Sequence, residues 1–103
     1  MDTVTITIPQ RFFDDHHYRD CIRDDFDLVA KRGKYTVTLT ISDFADLIDD
    51  AVHYADEPQY GIGMNTSARA TINAVKKQMT YGQLSTTMQA AGYPTTIKHI
   101  KPY

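Results

Sequence analysis

The sequence predicts an α+β domain: a small antiparallel sheet of about three strands with two to three helices packed on one face. Three observations carry that reading. Residues 3–8, TVTITI, and 34–41, KYTVTLTI, both alternate β-branched or aromatic residues with threonine, a period of two that belongs to strands. Residues 43–56 space Phe44, Leu47, Ile48, Ala51 and Ala55 at helical intervals among aspartates. The stretch 65–79 repeats this with Ala68, Ile72, Val75 and Met79.

Taken in order, the first strand places Val4, Ile6 and Ile8 on one side and Thr3, Thr5 and Thr7 on the other, and Pro9 ends it. A helix is expected over 10–22, QRFFDDHHYRDCI. Residues 26–31 then lead through Arg32-Gly33-Lys34 into 34–41, a hairpin whose glycine supplies the positive φ of a tight turn. Both strands thus carry an aliphatic face and a threonine face, the pattern of a sheet with one wet side. Ser42 is expected to cap the acidic helix, and 57–64, EPQYGIGM, to be a loop. Asn65 or Thr66 should cap the next helix, and Thr80 a shorter one that stops at Gly92 before Pro94. Residues 94–103 are expected to be a short edge strand or a loosely docked tail.

At 103 residues the chain is expected to form a single domain over 1–103, with 42% hydrophobic and 23% charged residues, a globular composition. Cys21 is the one cysteine, so no disulfide forms within the chain, and a reducing, cytoplasmic setting is expected. The opening residues are strand-like and carry no leader pattern, and no apolar run approaches membrane-spanning length, so no membrane association is expected.

The formal net charge of −2 conceals a split. Residues 1–57 hold all thirteen acids against six cations, a net −7; residues 58–103 hold five cations and no acid, a net +5. Those five cations, Arg69, Lys76, Lys77, Lys98 and Lys101, are interleaved with Tyr81 and Tyr93. Cations with aromatic rings suit a protein interface or a nucleic-acid strand. The expectation is that the cations face the acidic helix, which favours a protein partner, or self-association through an edge strand, over nucleic acid.

His16, His17, Asp20 and Cys21 form the densest polar cluster. His16 with Asp20, and His17 with Cys21, are four residues apart, so each pair could present two ligands from one helix face. No established zinc spacing completes the set, and a solvated helix face is the preferred reading. No cofactor is expected, and the chain is read as a binding protein more than an enzyme, a metal-dependent enzyme on the His16/His17 cluster being the remaining alternative.

The phrase Pro9, Arg11, Phe12, Phe13, Asp14, Asp15, His16, followed by Tyr54-Ala55-Asp56 and Ser67-Ala68-Arg69-Ala70-Thr71, resembles small proteins encoded by bacteriophages of actinobacteria. The resemblance covers about the first three-quarters of the chain. It implies a phage or prophage accessory protein working in the host cytoplasm, and it brings no activity with it.

Overall fold

The computed structural model describes residues 3–15 and 31–100. Strand β1 (Thr3–Pro9) passes without a break into the short helix α1 (Gln10–Asp15). Strand β2 (Lys34–Thr40) passes likewise into α2 (Ile41–Asp56). A 3-10 turn (Pro58–Tyr60) precedes α3 (Gly61–Gln78), and α4 (Tyr81–Ala90) leads to a second 3-10 turn (Thr96–His99). The fold is α+β and mostly helical. The described residues contain two strands and four α-helices, where about three strands and two to three helices were expected. The expected strand 26–31 lies outside the described residues except for Lys31.

The strands pair antiparallel, from Thr3 opposite Thr40 to Pro9 opposite Lys34. Ile6, Ile8, Tyr35, Val37 and Leu39 are buried, while Thr3, Thr5, Thr36 and Thr38 face outward. The exposed side is a ladder of hydroxyls: Thr5 with Thr38, and Thr7 with Thr36, share hydrogen bonds of 2.9 Å. Such cross-strand pairs reinforce the register. The turn before β2 is the expected tight one. Lys31 and Lys34 exchange backbone hydrogen bonds at 2.9 and 3.1 Å, and Arg32 and Gly33 have φ of 55° and 74°. Two consecutive positive φ values match the twist of a two-residue hairpin turn.

Helix α2 buries the expected Phe44, Leu47, Ile48, Ala51 and Ala55, with Ala45 beside them. Its cap is Thr40, not Ser42: Thr40 keeps an extended backbone and its Oγ1 accepts the Asp43 N–H at 3.1 Å. The strand's last hydroxyl thereby starts the helix and leaves no loop between them.

Helix α3 begins at Gly61, with Tyr60 at its N-cap position, at least five residues earlier than its sequence pattern indicates. Asn65 therefore sits inside the helix and does not cap it. Buried there, its amide donates to the carbonyls of Tyr54 (2.6 Å) and Glu57 (3.1 Å). These belong to the end of α2, whose last carbonyls have no partner within the helix. Ser67, Ala68, Thr71 and Val75 make up the rest of the buried face, and Ile72 and Met79 are half-buried at its margin.

Gln78 closes the outer edge of β1. Its amide oxygen accepts the Thr7 N–H at 2.9 Å, and its amide nitrogen donates to the Thr7 carbonyl at 2.6 Å. A side-chain amide here takes the part of a neighbouring strand at Thr7, so that position of the β1 edge is not free for strand addition.

Thr80 caps α4 in a reciprocal box with Gln83, and Gly92, at φ 89°, follows its end. The last described segment is neither an edge strand nor loosely docked. It forms a 3-10 turn that buries Thr96, Ile97 and Ile100 in the core.

Candidate interaction surface

The acidic helix is held to the C-terminal segment by hydroxyl groups. Tyr93 donates its phenolic proton to Asp46, and Thr96 Oγ1 donates to Asp49 Oδ1 at 2.5 Å. Part of the aspartate face of α2 therefore anchors residues 93–100. The hydrogen bond to Asp46, with burial and the charges of Asp46, Asp49 and Asp50, pushes the Tyr93 pKa up from 10.0 to about 12. A phenol whose folded pKa is raised contributes stability fully present below pH 10 and lost as pH rises from about 10 to 12. In a spectrophotometric titration of the seven tyrosines, one phenol is expected to ionise late, and Tyr93→Phe should remove that late step. An unchanged titration in the variant would assign the late proton elsewhere.

Among the described residues, the expected basic side chains are divided among several clefts. Arg69 and Lys76 line a cleft between α2 and α3 together with Asp56 and His99. Lys77 lies in a second cleft with Lys34, Thr7, Asn73 and Gln78, where no acid among the described residues contributes. Lys76 and Lys77 also border a third cleft that reaches Tyr81. Lys98 is exposed on the last 3-10 turn, and Tyr93 is committed to Asp46. Lys101 lies outside the described residues, as do His16, His17, Asp20 and Cys21. Among the described residues, no three His, Cys, Asp or Glu side chains are placed to hold a metal ion.

A corner that the charge pattern does not flag has the clearest surface character. Tyr60 and Ile62 are the exposed large hydrophobic residues of the described chain, with 36% and 85% of their surface accessible. Tyr60 stands on an aromatic column. Its ring meets Tyr54 edge-on at 4.4 Å and His53 at 5.4 Å, and Tyr54 in turn reaches the buried Phe12 at 6.2 Å. The Tyr60 hydroxyl and His53 Nε2 share a hydrogen bond of 2.9 Å. Asn65 ties down the backbone beneath, at Tyr54 and Glu57.

Next to this column, Gly61 adopts φ 86°, and Ile62 projects from the first turn of α3. The Arg11 guanidinium lies over Gly63 so closely that a Cβ there would come within 3.2 Å of Nη2. The chain thus brings an arginine, a tyrosine and a bare isoleucine to one place on a backbone fixed from below. Arginine and tyrosine are enriched where interfaces carry their energy. The sequence signal for this corner is Tyr-Gly-Ile-Gly: two large apolar residues set between glycines and outside either buried stripe.

No protein-family model, curated protein or solved structure matches this chain.

Proposed function

We propose that this chain is a small accessory protein, of phage or prophage origin, that acts by binding a host protein in the cytoplasm through the corner of Arg11, Tyr60 and Ile62. The exposure of Ile62 carries the reading. An isoleucine with 85% of its surface in water contributes nothing to the core. Its burial in a partner would gain most of the roughly 1.5–3 kcal/mol available to an aliphatic side chain. The partner chemistry follows from the neighbours: an apolar pocket for Ile62, flanked by a carboxylate for Arg11. The aromatic column matters because Tyr60 is already ordered, which lowers the entropy lost on docking.

A photo-reactive residue at position 62 tests this in an actinobacterial lysate, with the same residue at the exposed Gln89 of α4 as control. The expected result is a protein captured from position 62 and not from 89. Once purified, that protein should bind the unmodified chain, and Ile62→Asp and Arg11→Glu should each weaken binding about tenfold or more. Ile62→Asp should leave stability within about 0.5 kcal/mol, since surface changes of this kind rarely exceed that. Equal capture from both positions, or affinity indifferent to both substitutions, would sink the proposal.

A further inference from the structure

Two clefts adjoin at Lys77 and Gln78, and the pair makes a path flanked by lysines. The first, of about 620 Å³, lies between α3 and the sheet and is lined by Thr7, Pro9, Lys34, Ala70, Asn73, Ala74, Lys77 and Gln78. The second, of about 310 Å³, runs from Lys76, Lys77 and Gln78 past Met79 and Thr80 to Tyr81 and Gln83. They share Lys77 and Gln78, and among the described residues neither has a carboxylate in its lining. The contrast with the far side of α2 is sharp, where a cleft collects Asp49, Asp50, Asp56 and Glu57.

We infer that this path binds single-stranded nucleic acid, with Lys34 and Lys77 holding successive phosphates. Lys34 and Lys77 come from opposite halves of the charge split, and the hairpin turn that delivers Lys34 also exposes Lys31 and Arg32. The N-terminal end of α4 opens into the second cleft and adds a fixed partial positive charge. Asn73 and Gln83 put neutral amides among the lysines, groups that serve both phosphate and base edges. Tyr81 supplies an aromatic ring at the end of the path, a surface that suits a base more than an acidic peptide. This surface is separate from the Arg11–Tyr60–Ile62 corner, and the inference does not depend on the proposal made for that corner.

Fluorescence anisotropy with labelled single-stranded RNA and DNA, their duplexes and polyglutamate tests it. Two phosphate-holding cations, Lys34 and Lys77, predict a log–log salt slope of about −1.4 for a single strand. Affinity should therefore fall about sevenfold between 50 and 200 mM salt. Lys34→Glu with Lys77→Glu should weaken binding at least tenfold, while Lys98→Glu, off the path, and Ile62→Asp should leave it unchanged. Lys34→Gln and Lys77→Gln, milder changes at exposed positions, should each reduce the slope by about 0.7 and keep the wild-type melt. The inference is overturned by no saturable single-strand binding below about 0.1 mM at low salt. It is equally overturned by duplex or polyglutamate binding as tight as the single strand, or by affinity unmoved in the lysine variants.

Discussion

Phe44→Ala is expected to cost about 3–5 kcal/mol, much of the stability of a domain this size. Phe44 stands in the first turn of α2, directly after β2, and is completely buried. It belongs to the same core as Ile6 and Ile8 of β1, Val37 and Leu39 of β2 and Leu84 and Met88 of α4. Because strand and helix meet at Thr40 with no loop, the backbone has little freedom to collapse into the space the ring leaves. The full cavity penalty should therefore be felt. For a chain of this length the melting temperature should drop by roughly 15–30 °C. Thermal melts and urea titrations measure both quantities. A loss below about 1 kcal/mol would mean that α2 does not seat on the sheet through this ring.

Asn65 gives the second large effect. Asn65→Ala should cost about 1–3 kcal/mol, because two carbonyls at the end of α2 lose their donor in a part-buried place. Asn65→Asp should cost more at neutral pH. A carboxylate has no proton to donate, and it would sit against two carbonyl oxygens. That environment raises the variant's folded carboxyl pKa above its unfolded value of about 3.9. The aspartate variant should accordingly gain stability relative to wild type as pH falls toward 4, where the protonated acid can donate again. Urea midpoints for the three proteins at pH 7 and pH 4.5 decide it, and an aspartate variant as stable as alanine at both would refute the geometry. The same substitution should loosen the Tyr60 corner, since Tyr54 and Glu57 are the tied residues.

These two residues also mark what was legible in the sequence. Phe44 was plain, because a helical stripe of Phe44, Leu47, Ile48, Ala51 and Ala55 needs only local spacing to be read. The two strands were as plain, since their alternation assigns each side chain to a face. The Lys31–Lys34 turn was marked by Gly33, although the positive φ of Arg32 has no signal in its side chain. Asn65 was misread because asparagine before a helical stripe is ordinarily an N-cap. Its actual partners lie eight and eleven residues earlier, on a different element. Ser42 was misread for a related reason: two hydroxyl residues stood at the junction, and backbone geometry chose Thr40.

The site was less legible than the fold. Charge order along the chain suggested that the basic half faces the acidic helix. In the fold, Arg69 and Lys76 do share a cleft with Asp56 of α2, whereas hydroxyls of Tyr93 and Thr96 take Asp46 and Asp49, and Lys77 joins Lys34 from the other half. Net charge by segment carries no information on which helix face a lysine occupies: Lys76 and Lys77, adjacent in sequence, share one cleft, yet Lys76 alone reaches the cleft of Asp56 and Lys77 alone that of Lys34. Ile62 was hidden among glycines in a stretch whose composition reads as loop.

The amide of Gln78 has a consequence for the order in which the chain is made. The strand it closes is synthesised first, 71 residues ahead of it. A nascent chain that has emerged only through α2 already carries the apolar and threonine faces of both strands, but not the group that occupies the Thr7 edge. During that interval β1 is open to pairing with any extended segment nearby, including the same strand on a neighbouring nascent chain. Folding on the ribosome is thus protected from strand exchange only when α3 arrives. A ribosome stalled before Gln78 is added would hold β1 with its Thr7 edge open.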